Sequence, residues 1–121
     1  MAFEQFDTVV VAFPFSDRSQ AKRRPALVVS SRAFNGRHQH AVLAMITTAM
    51  QSAWPSDHAV VDLKCPGLGT PCVVRLKLFT LDVELIGRRL GRLGDDDREA
   101  VRRRLADCFG LADPGARKIS P

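Results

Sequence analysis

Residues 22–31 read Lys-Arg-Arg-Pro-Ala-Leu-Val-Val-Ser-Ser, a basic triplet and a proline that run into an apolar segment. Pro25 has no amide hydrogen and a fixed φ, which favours the first residue of a strand or a sheet edge. The residue before a proline is driven towards extended backbone, and here that residue is Arg24. The segment 26–29 is rich in β-branched side chains and predicts a buried strand. The stretch therefore predicts a guanidinium held at the rim of a strand, where it could meet a phosphate. Three solvated charges before an ordinary strand are the alternative.

Length and composition narrow the class of protein. The 121 residues predict one domain over residues 1–112, with a polar C-terminal tail over 113–121. A net charge of +5 and a pI of about 9.7 favour a polyanionic partner, nucleic acid first and an anionic membrane surface second. No apolar run is long enough to span a bilayer, and residues 1–5 lack the pattern of a signal peptide. Three cysteines without a Cys-x-x-Cys pair argue against a disulfide framework or a zinc site and favour reduced thiols in a cytoplasm.

Short strands separated by polar loops fill most of the chain. The pattern predicts strands over 8–13, 26–30, 41–46, 59–63, 72–81 and 87–93. Asn35-Gly36 predicts a turn between the second and third strands. Five to seven short strands at this spacing predict a small, strongly curved antiparallel sheet or barrel.

The last third of the chain predicts one helix. Three aspartates at 95–97 suit the positive end of a helix dipole, and Gly110 suits its C-terminal stop. Between them an apolar stripe at helical spacing predicts burial against the sheet; it is formed by Val101, Leu105, Cys108 and Phe109. The predicted fold class is mainly β with a C-terminal helix that closes one side of the sheet.

Several segments, in chain order, resemble MazF/PemK-type toxins. They are Phe13-Pro14-Phe15-Ser16-Asp17, residues 22–30 with Ala33-Phe34-Asn35, the strand end Ile46-Thr47-Thr48, the block 73–82, and Leu90-Gly91-Arg92-Leu93. The match runs from about residue 6 to residue 111. The resemblance implies an SH3-like barrel that forms a homodimer. It also implies a metal-free endoribonuclease without a cofactor that cuts single-stranded RNA, and a cognate antitoxin that silences it.

The resemblance also assigns roles to individual residues. Arg24 matches the catalytic arginine, Thr47 the catalytic threonine, and Arg75 an arginine that is catalytic or RNA-binding in the PemK/Kid branch. Asp17 on the first loop is a further candidate acid or base, with an ordinary turn residue as the alternative. The residues predicted to contact RNA are Ser16, Lys22, Arg23, Thr48, Trp54 and Lys77. For Trp54, stacking on an unpaired base competes with capping the core or docking the antitoxin.

RNA supplies its own nucleophile, the 2′-hydroxyl beside each phosphodiester, so a charge-stabilising pocket suffices for cleavage. Arg24 would stabilise the phosphoryl oxygens and Thr47 would hold a reacting oxygen in line. The expected products are a 2′,3′-cyclic phosphate and a 5′-hydroxyl. The expected substrate is mRNA, with rRNA or tRNA as alternatives.

An acidic antitoxin would bind the same basic groove, and operator DNA would be contacted only through the toxin–antitoxin complex. Three places depart from the family pattern. Lys77 stands where the PemK/Kid branch has an aspartate, Ala49-Met50 where the family often has glutamine or glycine, and Phe6-Asp7 where the family usually has Gly-Asp. The alternative function is therefore a catalytically weak or inactive module that binds RNA and antitoxin and acts in autoregulation of the operon.

Overall fold

A computed structural model describes residues 2–13, 22–48 and 53–111. Its elements in chain order are β1 (Asp7–Phe13), β2 (Lys22–Val28), α1 (Arg32–His38), β3 (His40–Thr48), β4 (His58–Ala59), β5 (Cys72–Asp82), a short 3-10 helix (Val83–Leu85), β6 (Ile86–Arg92) and α2 (Asp95–Phe109). No helix in the described part of the chain is long and apolar enough to cross a membrane.

The strands form one antiparallel sheet in the order β4-β5-β3-β2-β1-β6. The predicted class, mainly β with a C-terminal helix, is confirmed. Within the described residues the two edge strands, β4 and β6, do not pair with each other, so the sheet is open rather than a closed barrel.

Side chains alternate between two faces of the sheet, and each face carries an apolar cluster. On the helix face, residues such as Leu27, Ala44, Ile46 and Val74 pack with Val101 of α2. The other face, called here the distal face, is built around Val9, Val11, Ala26, Val28, Ala41, Leu43, Leu81 and Ile86. Both clusters are almost fully excluded from solvent, which fixes the register of the strands that pass through them.

The predicted turn at Asn35-Gly36 is wrong, because both residues lie inside α1 (Arg32–His38). Ser31 caps this helix, its Oγ accepting a hydrogen bond from the amide of Phe34 at 3.1 Å. Asn35 is buried, and its side-chain amide donates to the carbonyl of Phe3 at 2.9 Å. These contacts outweigh the local turn preference of an Asn-Gly pair.

The fourth strand is shorter than predicted: β4 spans only His58–Ala59 rather than 59–63. The amides of Val61 and Asp62 donate at 2.9 and 3.0 Å to the carboxylate of Asp97, which is buried in the first turn of α2. Amide groups bonded to a side chain cannot also extend a ladder. The same contacts tie the start of α2 to this edge of the sheet.

Helix α2 begins at Asp95 and is followed by Gly110 in the left-handed region at φ 68°, both as predicted. Val101 is fully buried, but the prediction that Cys108 and Phe109 continue a buried stripe is wrong. Cys108 is exposed, and Phe109 keeps 58% of its surface accessible. The last turn of α2 stands off from the sheet across a largely apolar groove of about 520 Å³.

Candidate active site

Pro25 lies inside β2 and interrupts its pairing with β3. The amide of Val29 donates to the carbonyl of Val42 on β3 at 2.9 Å, and alternate amides on an extended strand point towards the same neighbour. Position 25 would therefore direct its amide at β3, but proline has none to donate. The recorded β2–β3 pairing ends at Ala26, whereas β1 still pairs with Pro25 and with the residues before it. The strand is longer than predicted, and its first part is open on the β3 side.

Arg24 and Thr47 lie on the same face of this opening. Ala26 pairs with Met45, so continuing the register by two residues sets Arg24 opposite Thr47. Alternation then places both side chains on the distal face. Arg24 also lines a small pocket together with Met45 and Phe79, which belong to that face.

The two side chains differ in exposure. Arg24 is exposed, and within residues 2–13, 22–48 and 53–111 no hydrogen bond or ion pair engages its guanidinium. Thr47 is partly buried near the end of β3. A solvent-facing fork of donors beside a fixed hydroxyl can receive a phosphate group through several hydrogen bonds at once.

Arg75, in contrast, is committed to a neighbouring carboxylate. Its Nε and Nη2 donate to the two oxygens of Asp57 at 3.0 and 2.8 Å. The guanidinium also lies over the indole ring of Trp54, 5.5 Å from the ring centroid. Lys77 approaches the same ring, with its Nζ 6.0 Å from the centroid. Both basic residues project from the distal face of β5.

Asp57 is a site residue that the sequence reasoning missed. The hydrogen bond from Arg75 holds the pKa of Asp57 below its ordinary range; burial opposes this shift, and a hydrogen bond from the Trp54 amide adds to it. The carboxylate is therefore ionised at neutral pH and is a weak base. The available signal was its place at the end of the turn 54–57, where aspartate side chains often bond the backbone.

A second basic surface lies beside Arg24, across the strands β2, β1 and β6. Arg23, Arg24 and Arg88 line a cleft of about 300 Å³ together with the loop 67–70. None of the described residues that line this cleft is acidic. Arg23 points to the helix-face side, because its Nη2 lies 3.2 Å from the place that a side chain on Gly87 would occupy. The three arginines give the cleft a positive potential that attracts anions.

The sequence from residue 4 to residue 109 matches the family described as PemK-like, MazF-like toxin of type II toxin-antitoxin system. The chain belongs to this family. No sequence match to a curated protein was found.

Solved structures share the fold of this MazF-like toxin. An endoribonuclease in complex with its cognate antitoxin, from a mycobacterial species, matches with a TM-score of 0.72 and 22% identity, covering 93% of this chain and 98% of that chain. MazF from Deinococcus radiodurans matches with a TM-score of 0.70 and 24% identity, covering 92% and 99%. A MazE-MazF complex from the same organism gives 0.69 and 23%, covering 93% and 99%. At these identities the likeness shows the fold alone.

The toxin's predicted site residues fall into three groups. The distal face carries Lys22, Arg24, Thr47, Arg75 and Lys77, with Trp54 above the last two. Arg23 and Thr48 alternate onto the helix face, where Thr48 pairs with Cys72. Ser16 and Asp17 lie outside the described residues. Among residues 2–13, 22–48 and 53–111, no three His, Cys, Asp or Glu side chains are grouped to hold a metal ion.

Proposed function

We propose that this MazF-like toxin is a sequence-selective, metal-independent endoribonuclease that cleaves single-stranded RNA. One observation carries the proposal: Pro25 opens β2 from β3, and Arg24 and Thr47 flank the opening on one face, with the guanidinium exposed and unengaged by any described residue. The match to the solved structure of an endoribonuclease adds support from a protein of the same fold.

The chemistry is an internal transesterification of RNA. The 2′-oxygen attacks the phosphorus while its proton passes to a base, the bond from phosphorus to the 5′-oxygen breaks, and that oxygen takes up a proton. The products are a 2′,3′-cyclic phosphate and a 5′-hydroxyl. Arg24 donates to the phosphoryl oxygens as negative charge accumulates there. Thr47 holds the phosphate or a reacting oxygen in line.

The remaining predicted residues form the RNA path in this proposal. Lys22 and Lys77 flank the distal face as phosphate contacts, and Arg23 continues the path into the neighbouring arginine cleft. Thr48 and Ser16 contact RNA beside the phosphate. Asp17 is the proposed acid or base, because Asp57 is held by Arg75 and is a weak base. Arg75 acts in binding rather than in proton transfer, since an arginine does not give up its proton.

An acidic antitoxin is the proposed protein partner, and the active form is a homodimer. The MazE-MazF complexes among the structural matches support both expectations for this chain. Operator DNA would be contacted only through the toxin–antitoxin complex. A groove that is basic over the distal face attracts acidic peptide and RNA alike, so the two should compete for it.

The deciding experiment incubates the purified protein with a long unstructured RNA in EDTA and maps the ends of the fragments. We expect cleavage at defined short sequences, with a cyclic phosphate on one side of each cut. Arg24→Ala should lower the rate by at least roughly 100-fold, as loss of a transition-state donor does. Arg32→Ala is the matched control, because it removes an exposed arginine of α1 and should leave the rate unchanged.

Two outcomes contradict the enzyme. A folded Arg24→Ala protein that retains nearly full activity removes Arg24 from the mechanism. Intact RNA despite measurable binding instead supports the alternative, a catalytically inactive module that binds RNA and antitoxin and acts in autoregulation of the operon.

A further inference from the structure

Trp54 is the single tryptophan of the chain and stays partly exposed beside the proposed active site. Its side chain keeps 39% of its surface accessible. Arg75 and Lys77 approach the indole from the distal face of β5, at 5.5 and 6.0 Å from the ring centroid. Two basic side chains of β5 therefore contact the ring, and more than a third of the residue's surface stays open to solvent.

Asp57 holds this arrangement together. One carboxylate oxygen accepts from the backbone amide of Trp54 at 3.0 Å and from Nη2 of Arg75 at 2.8 Å; the other accepts from Nε of Arg75 at 3.0 Å. The amide of Asp57 donates in return to the carbonyl of Trp54 at 3.0 Å, which closes the turn. The side chains of Asp57 and Arg75 are only 10% and 16% exposed, so the pair is shielded from water. Such a shielded bidentate pair fixes both the turn and the guanidinium.

We propose that Trp54, Arg75 and Asp57 form one preassembled platform on which an unpaired RNA base stacks, with Asp57 as its positioning residue. The proposal rests on the RNA-directed function above and names the residues that bind the base there. An aromatic ring held rigid beforehand loses little conformational entropy when a base stacks on it, which makes it a better platform than a mobile side chain. Asp57 does not touch the RNA and acts only through its two partners.

The sheet register places the platform close to the proposed cleavage point. Thr47 pairs with Val73 and Met45 with Arg75, so Arg24 and Arg75 are separated by two strand spacings across the sheet and by two residues along it, about 12 Å between their backbone positions. The stacked base therefore belongs to a nucleotide near the scissile phosphate. The platform would influence which nucleotide is held there, while Arg24 and Thr47 carry the chemistry.

The intrinsic fluorescence of Trp54 reports stacking directly. We would titrate the protein with an oligodeoxyadenylate, which has bases but no 2′-hydroxyl to react, and with an abasic oligomer of equal length and charge. Base stacking predicts quenching by the first oligomer and little quenching by the second. Equal quenching by both would overturn the platform.

Substitutions at Asp57 test its positioning role. Asp57→Ala should weaken binding of the oligodeoxyadenylate by roughly 10-fold, the lower part of the range for loss of one stacked base. Asp57→Asn keeps an acceptor for the Trp54 amide and should lose less affinity for the oligomer than Asp57→Ala does. Asp82→Ala is the matched control, since this aspartate, the last residue of β5, likewise accepts a backbone amide, that of Glu84 at 2.9 Å. Equal binding by the Asp57→Ala and Asp82→Ala proteins contradicts the proposal.

Trp54→Ala provides a second route if Asp57→Ala does not fold, with binding followed by anisotropy of a labelled oligomer. This variant should lose the preference for base-bearing over abasic oligomer; an unchanged preference refutes the platform. Kinetics then separate the two proposals: Asp57→Ala should raise KM for RNA with kcat nearly unchanged, whereas Arg24→Ala should lower kcat. Base-dependent quenching without RNA cleavage would keep the platform and refute the endoribonuclease; cleavage without base-dependent quenching would do the reverse.

Discussion

Thr47 contributes one hydroxyl to the proposed site, from the strand next to Arg24. Thr47→Val keeps the shape of the side chain but removes the donor and acceptor that would hold a reacting oxygen. We expect kcat for RNA cleavage to fall by about 10²- to 10³-fold, the usual effect of removing a transition-state hydrogen bond, while KM changes little. Thr80→Val, at an exposed position of β5, is the control and should leave both constants unchanged. A similar small effect of both substitutions would remove Thr47 from the reaction.

Asp97 is a residue on which stability, rather than catalysis, depends. Its carboxylate contacts His58 Nε2 at 2.7 Å and accepts the amides of Val61 and Asp62. Burial raises the pKa of Asp97, but these hydrogen bonds together outweigh burial and leave its pKa below the ordinary 3.8. A lowered pKa stabilises the fold above the ordinary value, and this contribution is lost as the pH falls through the folded-state pKa.

The pH dependence of the Asp97→Asn variant tests this contribution. At neutral pH the free energy of unfolding should be lower than in the parent protein by about 1–3 kcal/mol, because hydrogen bonds to a charged acceptor are weakened. Below pH 3.8 the difference should shrink, since a protonated aspartic acid resembles asparagine. Urea unfolding at a series of pH values measures it, and Asp96→Asn, an exposed neighbour in the same turn, is the control. A difference that does not vary with pH would show that the charge of Asp97 is unimportant.

At the residue scale, the sequence was informative where the physical signal was local. The place of Arg24 in a strand could be predicted, because its neighbour, Pro25, restricts both residues and marks a strand. Its catalytic role came from the family resemblance and stays a prediction. Asp57 and Asp97 could not be predicted, because their partners lie 18 residues away for Asp57 and 35 to 39 residues away for Asp97. A carboxylate in a turn or at a helix start has the same sequence pattern whether it is solvated or buried.

At the element scale, the proposed site lies where the pairing between β2 and β3 ends. Pro25→Ala would supply an amide directed at β3 and allow the ladder to extend past Ala26. We expect RNA cleavage to fall by roughly 10-fold as the opening beside Arg24 narrows. We expect the free energy of unfolding to change by less than about 1 kcal/mol. The new hydrogen bond stabilises the folded state, and the loss of proline increases the conformational entropy of the unfolded chain by a similar amount.

Hydrogen exchange checks the structural step of this prediction, since the new amide at position 25 should be protected. Pro71→Ala, at an exposed loop position, is the control. It also increases the conformational entropy of the unfolded chain, but it should leave RNA cleavage unchanged. Full activity of the Pro25→Ala protein together with a protected amide would mean that the opening is not needed.

Element types were easier to predict than element ends. The strands that contribute to the two apolar clusters were all predicted, since their alternating or continuous apolar pattern is strong. The predictions of a turn at Asn35-Gly36 and of a strand over 59–63 were wrong. Hydrogen bonds to distant residues, made by Asn35 and by the amides of Val61 and Asp62, determine the structure of those segments. Local propensity is a weak guide where a buried side chain offers the backbone other partners.

At the scale of the whole molecule, the fold class followed from an ordered set of motifs, each of them common alone. That the sheet is open could not be predicted from the sequence. Closure depends on whether the two edge strands meet, and the sequence of either edge strand does not reveal this. The end of α2 also differed: the apolar residues 108 and 109 predicted burial, but they border an open groove instead.

Net charge, finally, is distributed unevenly over the molecule. On α2 the arginines are offset by neighbouring acids, with Arg98 paired to Asp95 and both Arg102 and Arg103 to Glu99. Around the proposed site Arg75 is paired with Asp57, but five other cations have no acidic partner among the described residues; they are Lys22, Arg23, Arg24, Lys77 and Arg88. Part of the net charge of +5 is therefore concentrated around the proposed site.

This distribution predicts how RNA binding depends on salt. The logarithm of the binding constant should fall linearly with the logarithm of salt concentration, and each phosphate contact of a single strand contributes about 0.7 to the slope. Arg88→Ala should reduce the slope by about that amount, because it removes one arginine from the cleft beside Arg24. Arg103→Ala removes the same charge from α2, where Glu99 already offsets it, and should leave the slope unchanged. Equal slopes for the two variants, measured with a non-cleavable oligomer, would show that RNA responds to total charge and not to the cleft.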